Sequence, residues 1–105
     1  MQQRSVSLWS ENRLYVDAAL DADGTLRFQG QDLNPDNPFG GNEYEYALTV
    51  SPADVPRVVA ALNGEPGADV LDLLKTHARQ IVGQGESRFL KSCGIEFGFW
   101  SRVGD

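Results

Sequence analysis

Glu43-Tyr44-Glu45-Tyr46-Ala47-Leu48-Thr49-Val50, followed at once by Ser51-Pro52-Ala53-Asp54, is where the chain changes period. Tyr44, Tyr46, Leu48 and Val50 fall on one face and Glu43, Glu45, Ala47 and Thr49 on the other. That two-residue repeat, rich in aromatic and β-branched side chains, is the pattern of a half-buried strand. The next four residues read as a helix start: a serine able to cap, a proline at the first helical position and an aspartate near the positive end of the dipole. Aspartate is too short for the reciprocal bond of a full capping box, so a serine cap alone is expected. Strands are therefore predicted before residue 51 and helices after it.

Working toward the N-terminus, Asn34-Pro35-Asp36-Asn37-Pro38-Phe39-Gly40-Gly41-Asn42 holds two prolines and two glycines, which neither a helix nor a central strand accepts, so a surface loop is expected there. Before it, Leu14, Val16, Ala18 and Leu20 alternate with Tyr15, Asp17 and Ala19. Leu26 and Phe28 resume the alternation after a tight turn at Asp21-Ala22-Asp23-Gly24. Val6 and Leu8 alternate with Ser5 and Ser7, and Glu11-Asn12-Arg13 turns that strand into the next. Trp9 falls out of phase with Val6 and Leu8, which places it on the opposite face with Tyr15.

Toward the C-terminus, Val55, Val58, Val59 and Leu62 repeat at helical spacing until Asn63-Gly64 stops them, with Pro56 placed to delay or bend the start. A second helix is predicted from about Asp69 to Val82, with Val70, Leu71, Leu74, Ala78, Ile81 and Val82 as its apolar stripe. A third runs from Glu86 to Cys93, with Gly94 in the terminating position. Ile95, Phe97 and Phe99 then alternate with Glu96, Gly98 and Trp100 as a fifth strand. The predicted fold is α+β: an antiparallel meander of four strands, two to three helices packed on one face, and a C-terminal fifth strand, in one domain spanning residues 1–105. The last strand either pairs at an edge or inserts between two others.

Composition excludes several classes. At 105 residues with 41% hydrophobic positions the chain has enough apolar mass for one modest core without staples. One cysteine, Cys93, rules out an internal disulfide framework and fits a reducing compartment. With no run of about 20 apolar residues and no apolar signal core after Met1-Gln2-Gln3-Arg4, the expectation is a cytoplasmic protein without a membrane span.

Candidate chemistry is sparse. Aligning Gly24 with the required glycine of a calcium loop puts Ala19 and Gly30 at essential ligand positions, so the segment is a hairpin turn. With His77 and Cys93 the only residues of their types, no zinc site can be built from these ligands alone, and no metal or cofactor is expected. His77 falls at the margin of the second helix's stripe and reads as a half-buried histidine. Cys93 reads as a small apolar side chain unless His77 folds beside it as a base. The pairs Gly40-Gly41 and Gly83-Gln84-Gly85 lack the spacing that cradles phosphate. No catalytic residue is therefore assigned.

Charge is more informative than its net value of −6. From Glu11 to Asp72 twelve acidic residues face three arginines, a balance of −9, whereas from Lys75 to Arg102 five basic residues face two acidic ones. An acidic sheet and loop surface repels phosphate backbones and attracts a basic partner, which argues against nucleic-acid binding. Tyr15 and Trp100 lie opposite the apolar faces of their own strands and form an aromatic patch if one sheet face is uncovered.

The segments Gly30-Gln31-Asp32-Leu33, Glu43-Tyr44-Glu45-Tyr46 with Thr49-Val50, and Gly94-Ile95 leading to Phe99-Trp100-Ser101-Arg102-Val103-Gly104-Asp105 resemble a group of small uncharacterised single-domain proteins typical of high-GC actinobacteria. In outline these are similar to immunity proteins of polymorphic toxin systems. The resemblance covers most of the chain, implies a stand-alone single-domain protein, favours partner binding and carries over no catalytic residues.

The functional expectation is a small acidic protein-interaction module of immunity or inhibitor type. It would bind a basic protein partner through Asp32, Asp36, Phe39, Glu43, Glu45, Tyr15 and Trp100, an acidic rim around apolar anchors. The alternative is a small-molecule-binding protein or small enzyme with a pocket between sheet and helices lined by Tyr44, Tyr46, His77 and Cys93. A homodimer through the aromatic sheet face is a third possibility.

Overall fold

A computed structural model describes residues 4–33 and 43–104. The expected loop residues Asp36 and Phe39 lie outside them. Five strands, β1 (Arg4–Glu11), β2 (Leu14–Leu20), β3 (Leu26–Asp32), β4 (Glu43–Val50) and β5 (Gly98–Gly104), form one antiparallel sheet in the order β1-β2-β3-β4-β5. A 3-10 turn (Pro52–Asp54) and helices α1 (Val55–Ala61), α2 (Val70–Thr76), α3 (Ala78–Gln84) and α4 (Glu86–Ser92) separate β4 from β5. The fold is the expected α+β arrangement, and the last strand sits at the edge, beside β4.

The meander is held in register by its turns. Asn12 and Arg13 join β1 to β2 with φ of 55° and 63°, the two left-handed residues of a type I′ hairpin. Between β2 and β3, Gly24 takes φ 92°, its N–H donates to the Asp21 carbonyl, and the Asp23 carboxylate accepts from the Thr25 N–H at 2.9 Å. That aspartate serves the turn, as the hairpin reading requires, and among the described residues no cluster of His, Cys, Asp and Glu is arranged to hold a metal.

The helix-side face of the sheet supplies Val16, Ala18, Leu26, Phe28, Leu48 and Val50 to the core. Val58 and Leu62 of the first helical segment, Val70, Leu71 and Leu74 of α2, Ile81 of α3 and Phe89 and Leu90 of α4 close it from above. Each full burial of such a side chain contributes on the order of 1.5–3 kcal/mol before entropy is counted. Helices α2 and α3 lie across β1, and α2 reaches β2, so this layer is centred away from β5. No described helix is long and apolar enough to cross a membrane.

Four local expectations are corrected. The Ser51 hydroxyl does not cap a helix: it reaches the Asp54 carboxylate at 3.3 Å while the chain makes a 3-10 turn, and α1 begins only at Val55 with Pro56 in its first turn. The single helix predicted from Asp69 to Val82 is broken at His77, whose φ of −103° and ψ of 15° end α2 and begin α3; with four α-helices among the described residues, the count exceeds the two to three expected. Trp9 does not join Tyr15. A bulge between Ser7 and Trp9 inserts Leu8, so that Trp9 pairs with Val16 and both Leu8 and Trp9 turn toward the helices. Finally, Ile95 is buried in the core before β5 begins at Gly98, and Phe99 is exposed. Phe99 does share a face with Leu48, but the helices do not reach that far.

Candidate interaction site

Alternation along four consecutive strands sets the composition of the face that no described helix covers. It carries Tyr15 and Asp17 from β2, Gln29 and Gln31 from β3, Glu43, Glu45 and Ala47 from β4, and Trp100 and Arg102 from β5. The pairing register places Tyr15, Gln31, Glu45 and Arg102 in one row across the sheet, and Asp17, Gln29, Ala47 and Trp100 in the next. The small side chain of Ala47 leaves a trough of about 230 Å³ lined by Tyr15, Asp17, Gln29, Gln31, Glu45 and Trp100. Tyr15 is 42% exposed and Trp100 52% exposed, so two aromatic rings three strands apart, roughly 14 Å at ordinary strand spacing, stand free at its two sides.

The acidic groups of this face form a connected set. Gln31 Nε2 donates to Glu43 at 2.9 Å, and Arg102 reaches Glu45 at 3.3 Å. Glu43 and Glu45 are two residues apart on the same face, and a hydrogen bond between their carboxyl groups draws Glu43 below the usual carboxylate range and lifts Glu45 above it. A cation approaching this corner would favour ionising both.

On the helix side of the same two strands lies a second concavity, of about 600 Å³, lined by Tyr44, Tyr46, Glu86, Phe99, Ser101 and Val103 among others. Tyr44 and Tyr46 are tilted against each other at a centroid distance of 5.8 Å. The Tyr46 hydroxyl donates to Glu86 Oε1 at 2.8 Å, and Glu86, at the start of α4, is only 6% exposed. Burial pushes the Glu86 carboxyl above the ordinary carboxylate range, and burial together with that carboxyl pushes the Tyr46 phenol above its own. Gly30 lies opposite Tyr46 in the sheet, and the ring folds across it.

These positions redistribute the expected site residues. Tyr15, Glu43, Glu45 and Trp100 share the uncovered face. Asp32 does not: it is the last residue of β3 and pairs with Leu14 and Tyr44 on the helix side. Tyr44 and Tyr46 line the groove, whereas His77 and Cys93 do not. His77 is half-buried at the α2–α3 junction, and Cys93 caps α4 and packs half-buried against the core. Glu86 is the functional candidate that sequence reasoning missed. Its position at the first turn of a helix reads as ordinary dipole stabilisation, and only the tertiary placement of Tyr46 makes it a buried carboxyl. No protein-family model matches this chain, nor does any curated protein or solved structure with which it was compared.

Proposed function

We propose that the chain is a small acidic protein-interaction module, of immunity or inhibitor type, that binds a basic protein partner through the uncovered face of its sheet. The observation that carries this reading is the trough itself: Tyr15 and Trp100 stand exposed on either side of a floor made by Gln29 and Ala47, with Asp17, Glu43 and Glu45 around them. Exposed aromatic anchors within a polar, charged rim are the arrangement of a protein-binding surface, and the sign of the rim selects a basic partner. The sequence resemblance supplies the immunity or inhibitor type. The test is site-specific photo-cross-linking in the native cell. A cross-linkable residue at Tyr15 or Trp100 should capture one basic protein that the same residue at Lys91, on the helix layer, does not. Equal capture at all three positions, or capture of nothing, refutes the reading.

A second reading is favoured by one observation, the groove in which Glu86 lies almost buried beneath Tyr46. A carboxyl beside aromatic rings suits a small amine or guanidine ligand, held by charge and by cation–π contact. Titration with guanidinium- and ammonium-bearing fragments, followed by the NMR shifts of the Tyr44 and Tyr46 rings, tests it. Shifts confined to Tyr15 and Trp100 would remove it.

A further inference from the structure

The two edges of the sheet are built differently. β1 has a bulge between Ser7 and Trp9 and a charged residue at each end, Arg4 and Glu11. Bulges and edge charges are devices that stop a sheet from adding strands. β5 has no bulge and no charge at either end. Gly98-Phe99-Trp100-Ser101-Arg102-Val103-Gly104 pairs with β4 without interruption, contains no proline and has one charged residue, Arg102, already engaged by Glu45. Among the described residues four large apolar side chains are exposed, and three of them, Phe99, Trp100 and Val103, belong to this strand.

The strand is also complementary to itself. Set antiparallel to a second copy with Ser101 opposite Ser101, it places Gly98 opposite Gly104, Phe99 opposite Val103 and Trp100 opposite Arg102. Opposed residues in an antiparallel pair share a face, so Phe99 and Val103 cover each other on the helix side. On the other side each Arg102 guanidinium lies between its own Glu45 and the ring of the second copy's Trp100, a charge and cation–π complement repeated twice by symmetry. Neighbouring registers lose this match. A slip of one residue sets helix-side residues against open-face ones. Moving the centre to Arg102 opposes two like charges, and moving it to Trp100 leaves Phe99 opposite Ser101.

We propose that the protein forms a symmetric dimer by antiparallel pairing of β5 with β5 about Ser101, joining two five-stranded sheets into one continuous sheet. The dimer would bring two troughs side by side on one surface. It stands apart from the partner reading, which a monomeric protein would leave intact. An edge-to-edge contact covers less than the about 1,600 Å² of a standard interface, so a micromolar dissociation constant is expected.

Sedimentation equilibrium from about 1 to about 500 µM brackets that constant. In a Cys93→Ser background, Ser101→Cys should form a disulfide-linked dimer under mild oxidation. Phe99→Cys and Val103→Cys should not do so singly, because each lies roughly 13 Å from its own copy. Mixed in equal amounts, those two variants should cross-link to each other. Trp100→Lys should weaken the dimer tenfold or more by opposing Arg102. A monomer throughout the range, an undiminished dimer in Trp100→Lys, or cross-linking of Phe99→Cys to itself would each overturn the proposal.

Discussion

Replacing Gly30 with alanine tests the link between the sheet and α4. The backbone at Gly30 is not in the left-handed region, so alanine is conformationally acceptable there, and the consequence is steric. A Cβ would stand 2.1 Å from Tyr46 Cζ, 2.2 Å from Cε1 and 2.4 Å from the hydroxyl oxygen. All three atoms are at the far end of the tyrosine side chain, which can swing aside without moving the strand. Once it does, the hydroxyl leaves Glu86 and a carboxyl that is 6% exposed loses its side-chain donor. Stranding a buried polar group costs about 1–3 kcal/mol. For a domain of this size that is a fall in melting temperature of about 4–8 °C per kcal/mol. The decisive measurement is a double-mutant cycle in urea with Tyr46→Val, whose short side chain does not reach the new methyl. In that background Gly30→Ala should be neutral or stabilising by about 0.4–1 kcal/mol, because alanine restricts the unfolded chain more than glycine. Equal destabilisation in both backgrounds would show that the clash and the hydrogen bond do not govern this position, and would refute the reasoning.

Three further outcomes follow from the same geometry. Arg13→Gly should raise stability by about 1–2 kcal/mol in thermal melts, since a non-glycine residue at φ 63° bears the left-handed backbone penalty. Asp69→Ala should cost about 0.5–2 kcal/mol, because the Asp69 carboxylate caps α2 by accepting from the Leu71 N–H at 3.0 Å and also meets Arg4 at 2.6 Å. Arg4 holds that carboxyl below its ordinary 3.8, so this stabilisation is present above 3.8 and is lost as pH falls through the lowered folded value. Glu86 behaves oppositely. Its folded value is raised above 4.5 by burial, so its stabilising effect is fully present below that pH and declines as pH rises through the folded value. Urea titrations across this range should show a slope that Glu86→Gln removes.

The parts of this fold that were legible in the sequence are those decided by neighbours along the chain. The face assignment of Glu43 to Val50, the turn at Gly24 and the stop at Gly94 each follow from a period or a glycine, and each stands in the structure. The misreadings share a different cause. Leu8 and Trp9 look like ordinary alternation until a bulge adds one residue, which flips every later side chain of the strand. Phe99 has the correct phase for the helix side, yet phase says nothing about how far a helix layer extends, and here it is centred over the β1 side of the sheet. His77 lies at the margin of the predicted apolar stripe, within a helix expected to be continuous, but the helix is broken at that residue.

The same distinction separates the residues that strand phase puts forward from those that composition alone puts forward. His77 and Cys93 attract notice because each is unique in the chain, but uniqueness is a property of composition and carries no information about surroundings. Tyr15 and Trp100 are candidates already by their strand phase, and Glu86 becomes one through its surroundings alone. Tyr15 and Trp100 are exposed because no described helix lies over their face, and Glu86 is buried where Tyr46 folds across Gly30 to meet it. An exposed ring and a buried carboxyl are both departures from where solvation free energy would place those groups, and such departures persist only where the fold or a partner compensates for them. For Glu86 the compensation is visible in the Tyr46 hydroxyl. For Trp100 it is not, and that is the physical reason to look for a second chain against β5.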